Sequence, residues 1–167
     1  AIPAVARGQG NGPTRPIRGV VPFPPGQATD IMARLMAERL QARLGQNLVV
    51  ENRGGGASIP GMEAVMHAAP DGYTLGMASS GPLAINPSVM SRLPYDVERD
   101  FAPIALVFTT PLIAVAHPSL PYQTLAALVD AARRAPGSID YASGGPGSSL
   151  HLAGEAVKEQ GKLFMTH

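Results

Sequence analysis

Apolar positions along the chain come in short runs broken by proline and glycine, and the period of each run predicts its element. Residues 17–21, 48–51 and 73–78 are compact, β-branched-rich runs that end in Pro22-Phe23-Pro24-Pro25-Gly26, Asn52-Arg53-Gly54-Gly55-Gly56 and Ser79-Ser80-Gly81, and each reads as a short strand. Between them, Met32, Met36, Leu40 and Leu44 recur at helical spacing, with Gly45 as the stop, which predicts a helix over about 29–44. A second helix is expected over 61–69, ending at Pro70-Asp71-Gly72. Three strand–helix alternations in fewer than eighty residues imply an α/β class with a parallel sheet and right-handed crossovers.

Residues 82–100 are proline-rich and are expected to be irregular. Residues 104–108 and 112–116 read as two strands separated by Thr109-Thr110-Pro111. Thr124 then caps a helix whose Leu125, Leu128, Val129 and Ala132 share one face, and Pro136-Gly137 ends it. A strand over 139–142, a helix over 148–160 and the start of another strand at Phe164 complete the reading. Strand–helix units thus recur on both sides of the proline-rich stretch. The expected organisation is a flexible arm at 1–14, a first lobe at 15–104 and the beginning of a second lobe at 105–167. That lobe would be left with open strand edges, so a truncated chain is expected.

Three segments share one design, a strand end followed by a Gly/Pro/Ser loop and a helix start: residues 22–30, 79–86 and 142–149. Ligands of open α/β sheets sit beyond the carboxyl ends of strands. Helix starts there present unpaired backbone N–H groups, which hold an anion without Lys or Arg. Gly26, Gly144, Gly145 and Gly147 allow close backbone approach, and Thr29, Ser79, Ser80, Ser143, Ser148 and Ser149 add hydroxyl donors. Any one loop alone is better explained by turn and cap chemistry, with Thr29, Asp30 and Ser148 as caps. Three of the same construction, expected on one edge, favour a binding site. Asp30 is first of all an acid suited to the first turn of a helix; its alternative role is to meet a ligand ammonium or hydroxyl.

Composition narrows the chemistry. In 167 residues there are 13 Lys and Arg against 12 Asp and Glu, a balance that gives no basic field for nucleic acid and no polybasic membrane anchor. With 45% hydrophobic and 15% charged residues, a packed core is expected rather than disorder. The absence of cysteine excludes disulfides, thiolate metal sites and a Cys nucleophile. No run approaches a membrane span, so no direct membrane insertion is expected. Residues 1–13 lack a charged start and an apolar run, and read as a mature or recombinant start whose signal peptide is absent or already removed.

No catalytic set emerges. Gly144-Gly145-Pro146-Gly147-Ser148-Ser149 lacks the Lys of a phosphate loop, and neither serine has the frame of a nucleophile elbow. His151 reads as a cap or surface residue, and His67, His117 and His167 stand apart with no second ligand at metal spacing. No cofactor and no metal are expected.

At these loops the chain strongly resembles the Bug/TctC family, the substrate-binding proteins of tripartite tricarboxylate transporters. The resemblance is carried by Arg15-Pro16-Ile17-Arg18 leading to Val20-Val21-Pro22-Phe23-Pro24-Pro25-Gly26 and Ala28-Thr29-Asp30, and by Val50-Glu51-Asn52-Arg53-Gly54-Gly55. It continues through Ala69-Pro70-Asp71-Gly72-Tyr73-Thr74-Leu75, Leu93-Pro94-Tyr95-Asp96, His117-Pro118-Ser119-Leu120-Pro121, Tyr141-Ala142-Ser143-Gly144-Gly145 with His151-Leu152, and Met165-Thr166-His167. It implies a periplasmic-binding-protein-like clamshell in the periplasm that captures a small carboxylate for membrane transporter subunits and does not transform it. Carried over by position, the ligand contacts fall on Phe23, Pro24, Gly26, Gln27, Ala28, Thr29, Asp30, Ser79, Ser80 and Asn86 in the first lobe. In the second they fall on Ser143, Gly144, Gly147, Ser148, Ser149 and His151.

Three departures from the family pattern accompany the resemblance. Gln27 stands where a second glycine is usual, Gly19 replaces a β-branched strand residue and is expected to weaken its strand, and the family chain is longer. With half a clamp, residues 1–167 are expected to bind poorly. Two rival readings are the effector domain of a regulator, which needs an upstream DNA-binding helix, and a phosphate- or nucleotide-using enzyme, which needs a Lys-bearing loop or an acid pair.

Overall fold

The computed structural model describes residues 12–145 and 148–167, so most of the expected arm, and Gly147 among the candidate site residues, lie outside the described residues. The fold is mixed α/β. Strands β1 (Ile17–Val21), β2 (Leu48–Asn52) and β3 (Thr74–Gly76) form one parallel sheet in the order β2-β1-β3. Register runs from Ile17 opposite Leu48 to Val21 opposite Asn52, and Arg18 to Val20 lie opposite Thr74 to Gly76. The central strand is the apolar one, as a strand covered on both faces must be: Ile17, Val20 and Val21 are buried. Gly19, expected to weaken this strand, is paired on both sides, with Val50 and with Leu75. A Cβ at Gly19 would stand 2.8 Å from Leu48 Cδ2, so the glycine makes room for the neighbouring strand's side chain.

Helix α1 (Ala28–Leu44) joins β1 to β2 and packs on both. Its Met32, Met36 and Leu40 are half-buried, whereas Leu44 is exposed; the helix buries Ala33 together with Thr29 and Asp30 instead. Gly45 ends it in the left-handed conformation, its N–H donating to Gln41 O. Helix α2 (Ile59–Met66) crosses back to β3 and runs close to the start of the loop after β1, a Cβ on Gly61 reaching 2.6 Å from Pro22 Cα.

The proline-rich stretch, expected to be irregular, is helical turn at both ends and irregular only over residues 90–96. A wide π-type turn, Gly81–Ile85, runs into α3 (Asn86–Val89), and α4 (Val97–Asp100) follows. Pro82 and Pro87 sit in first-turn positions where no N–H is needed, which the sequence reading missed. Asp96 caps α4 by accepting from the N–H groups of Glu98 and Arg99.

Residues 104–116 form no ladder with any described residue, contrary to the two expected strands. Ile104, Leu106, Ile113 and Val115 are 74–89% exposed, so the apolar, β-branched pattern is present without a partner to pair it. Farther on, α5 (Leu125–Arg134) and α6 (Ser149–Gly161) flank a second core of Ala132, Leu163 and Met165, with Leu128, Val129, Ile139 and Tyr141 packed on it. The two strands expected around it reduce to a parallel bridge between Asp140 and Thr166, extended by Gly137 N–H to Phe164 O and Tyr141 N–H to Thr166 O.

Candidate functional site

From β1 the chain moves to one side to build β2 and then crosses back past β1 to build β3 on the other, so the winding of the sheet reverses at β1. Loops that leave the carboxyl ends of strands flanking such a point border a crevice. Here they are the loops after β1 and after β3, held side by side by Met77 N–H donating to Val20 O at 2.9 Å.

The first loop is folded around Asp30. Gly26, at φ +85°, turns its N–H to Asp30 Oδ2 at 2.8 Å; a Cβ there would meet nothing, so glycine is needed for backbone conformation and not for space. Asn52 Nδ2 donates to Asp30 Oδ1 at 2.8 Å and to Phe23 O at 3.1 Å, tying the loop to the end of β2. Arg34, one turn along α1, donates to Asp30 Oδ2 at 3.2 Å and to Asn52 Oδ1 at 2.9 Å. The Gly26 N–H first, then Arg34 and Asn52, pull the Asp30 carboxyl down to about 2. Asp30 is buried with both oxygens engaged, so it braces the loop.

What this bracing leaves open is the start of α1. Gln27 occupies the cap position with extended backbone and a side chain that makes no capping bond. Ile31 N–H donates to Gln27 O, and the N–H groups of Ala28, Thr29 and Asp30 have no acceptor among the described residues. Pro24 to Ala28 are exposed around them. Three unpaired donors at the positive end of a 17-residue helix favour an anion.

In the second loop Ser79 is half-buried and Ser80 exposed, and neither hydroxyl is engaged by a described residue. Asn86 lies deeper. It is 1% exposed and donates from Nδ2 to Ala57 O at 2.8 Å, while Tyr95 OH, 3.4 Å away, donates to Pro82 O at 2.7 Å. Asn86 therefore pins this loop to the one after β2. There Gly55, Gly56, Ala57 and Ser58 all have positive φ, an uncommon state for the last two. Residues 55–58 were missed by the sequence reading, although Gly54-Gly55-Gly56 was the signal.

A second cluster gathers at the start of α6. Ser148 caps the helix, accepting from His151 N–H at 3.1 Å and donating to Gly145 O at 2.7 Å, so its hydroxyl is occupied as the cap reading required. Ser149 and Leu150 N–H groups have no acceptor among the described residues. Ser143 Oγ receives Gly145 N–H at 3.1 Å and lies 2.7 Å from His167 Nε2. The His167 ring stacks 4.3 Å from His151 and 4.9 Å from Tyr141. Tyr141 OH donates to Glu155 Oε1 at 2.6 Å, and burial together with that carboxylate raises the phenol to about 12. His167 is thus part of the cluster, which its sequence position did not reveal. Gly144 is exposed beside it.

The hydrogen bonds of the first cluster run within residues 23–95 and those of the second within 141–167. Two open concavities are lined by other faces of the sheet unit. A groove of about 620 Å³ is lined by Arg18, Arg53, Glu63 and His67, and one of about 420 Å³ by Leu83, Leu93, Tyr95 and Glu98. No group of acidic, His or Cys side chains suited to a metal occurs among the described residues. No described helix is long and apolar enough to cross a membrane.

Two depressed carboxyls give a first prediction. Glu51, bonded by Arg18 and Arg53, sits at about 2 against an ordinary 4.5, and Asp30 at about 2 against 3.8. Each contributes stability that is complete above its ordinary value and is lost as pH falls toward 2. The urea midpoint should therefore fall steadily between pH 5 and pH 2. An unchanged midpoint over that range would refute the bracing assigned to these groups.

Comparison with known proteins places this geometry. The sequence profile of the TctC family, described as the tripartite tricarboxylate transporter family receptor, matches residues 32–167. Protein BugT of Bordetella pertussis is 44% identical over 86% of the chain and 44% of its own length. A protein encoded in the tcbD-tcbE intergenic region of Pseudomonas sp. is 37% identical over 93% of the chain and 46% of its own. Among solved structures, R. palustris Rpa4515 with adipate is 34% identical with a TM-score of 0.80, and MatC of Rhodopseudomonas palustris with bound malate is 29% identical with a TM-score of 0.82. Each is covered to 52% by 92% of the chain. The chain spans about half the length of the curated relatives it matches, and its α/β fold is that of periplasmic binding proteins over about half of their chains.

Proposed function

We propose a function from one premise: the chain belongs to the tripartite tricarboxylate transporter receptor family. On that premise it is the carboxylate-gripping part of a periplasmic solute receptor. The single observation that carries the reading is the start of α1, where Ala28, Thr29 and Asp30 offer N–H groups with no acceptor among the described residues, while the Ser79 and Ser80 hydroxyls stand unengaged in the loop after the neighbouring strand β3. Such a site meets a carboxylate through oriented main-chain donors and leaves the ligand chemically unchanged. Residues 15–104 form the first lobe and 105–167 begin the second, whose contribution comes from Ser143, Gly144, Ser149 and the start of α6. Closure of the two lobes on the ligand would present the receptor to its transporter subunits.

Adipate and malate, the acids held by two solved relatives, are the natural probes. In a nuclear magnetic resonance titration of the 167-residue chain, either acid at millimolar concentration should move the amides of residues 26–30 saturably, while a nucleotide should not. Affinity is expected to be weak with half the relatives' length present. Amides 26–30 unmoved by both acids would refute the site. Micromolar binding would refute the division of the grip between this chain and the rest of the relatives' length.

A further inference from the structure

Ser143 sits in the second cluster with a hydroxyl whose bonding capacity is nearly used up. A hydroxyl has one proton to give and two lone pairs to accept with. Gly145 N–H takes one lone pair at 3.1 Å, and His167 Nε2 stands 2.7 Å away. What Ser143 has left to offer a ligand depends on that nitrogen. If Nε2 is bare, the hydroxyl proton points at His167, and only a lone pair remains to face outward and repel a carboxylate. If Nε2 carries a proton, it fills the second lone pair, and the hydroxyl proton is released to donate.

We propose that His167 is a positioning residue that, through a proton on Nε2, turns Ser143 into a donor for the ligand carboxylate. The inference rests on the carboxylate-receptor reading above. Among the described residues the His167 ring is held by stacking neighbours and not by a bond to its other nitrogen. It stacks on His151 and Tyr141, Tyr141 is anchored to Glu155, and Glu155 to Lys158 at 2.8 Å. Nδ1 has no hydrogen-bond partner among the described residues, so nothing on that side fixes the tautomer. The choice is left to the Ser143 side, where a bound carboxylate and a protonated Nε2 stabilise each other. By linkage, the ligand draws the proton to Nε2 as much as the proton at Nε2 strengthens the ligand. The pair has the spacing of a nucleophile and its base, but among the described residues no acid orients the imidazole from behind, and the Gly145 N–H withdraws density from Oγ.

The test uses the 167-residue chain and adipate. Long-range proton–nitrogen spectra of the imidazole should find Nε2 protonated in the adipate-saturated protein, and a bare Nε2 would overturn the proposal without any variant. His167→Ala should weaken adipate about three- to ten-fold, the loss of one ordinary hydrogen bond. His167→Gln, which keeps an N–H near the Nε2 position, should stay within about two-fold of wild type. In Ser143→Ala the further change His167→Ala should cost nothing more; a full, independent loss in that background would refute the proposal. Wild-type amides of Gly144, Gly145 and Ser148 that ignore adipate would instead refute the receptor reading at this cluster.

Discussion

Alanine at position 61 should lower the stability of the parallel-sheet unit by roughly 1–3 kcal/mol, a single methyl forced into a filled contact. A Cβ on Gly61 would lie 2.5 Å from Pro22 Cβ, 2.6 Å from Pro22 Cα and 2.9 Å from Arg53 O. Two of these three are main-chain atoms that cannot rotate away. Pro22 is fully buried with a ring-fixed φ, and Arg53 N–H is bonded to Val21 O at 2.8 Å. The helix must therefore lift off the sheet, and it carries buried Met62 with it. Gly81→Ala is the control, because a Cβ there meets only Ser79 Oγ at 3.7 Å, and it should change stability by less than about 0.5 kcal/mol. Urea denaturation of the two variants decides the matter: equal midpoints would mean that the α2–Pro22 contact gives way easily. Pro22 also opens the loop after β1, so Gly61→Ala should disturb the α1 start and weaken adipate in the same preparation.

How far the sequence carried this picture can be judged residue by residue. The strand–loop–helix alternation was legible because short β-branched runs and Gly/Pro breaks are local signals, and β1, β2, β3 and the α1 boundaries follow from them. The pairing of strands is not local. Residues 104–116 have the composition of strands and pair with no described residue, because a ladder needs a second segment that no pattern within the first can announce. Prolines at 82 and 87 read as breakers, but in the first turn of a helix they are permitted. At the site one cap was legible: Ser148 is three residues before the N–H it accepts, whereas Thr29 and Asp30, also expected as caps, lie inside α1 behind the cap residue Gln27, because the helix begins one residue earlier than its apolar stripe suggests. The long-range fasteners were not. Asn86 meets a carbonyl 29 positions away and His167 a hydroxyl 24 positions away, and neither spacing carries a period. The same limit explains Asp30, whose first-turn placement was read correctly but whose partners Gly26 and Asn52 converge only once β1 and β2 are paired.

That convergence makes Asp30→Asn a sharper test of the loop than its small change in shape suggests. In the native loop every group facing the carboxylate is a donor: Gly26 N–H and Arg34 Nε on Oδ2, Asn52 Nδ2 on Oδ1. An amide can offer only one oxygen. With its oxygen toward Gly26, its NH2 faces the Asn52 NH2; turned over, it faces the Gly26 N–H and Arg34. Asn52 cannot relieve this by rotating its own amide, since Nδ2 also donates to Phe23 O and Oδ1 accepts from Arg34 Nη2. Either way two buried donors oppose each other. The unfolding equilibrium constant should then rise by about ten-fold or more, with Arg34 left facing a neutral group. Because the Gly26 N–H bond bends the loop toward α1, its loss or weakening should also blunt adipate binding at residues 26–30. Urea midpoints at pH 7 and pH 2.5 separate the causes. At pH 7 the variant should be clearly less stable than wild type. At pH 2.5 the gap should narrow, since the wild-type carboxyl is by then approaching its own value of about 2. A variant as stable as wild type at pH 7 would show that the loop is held by its prolines and not by this carboxylate.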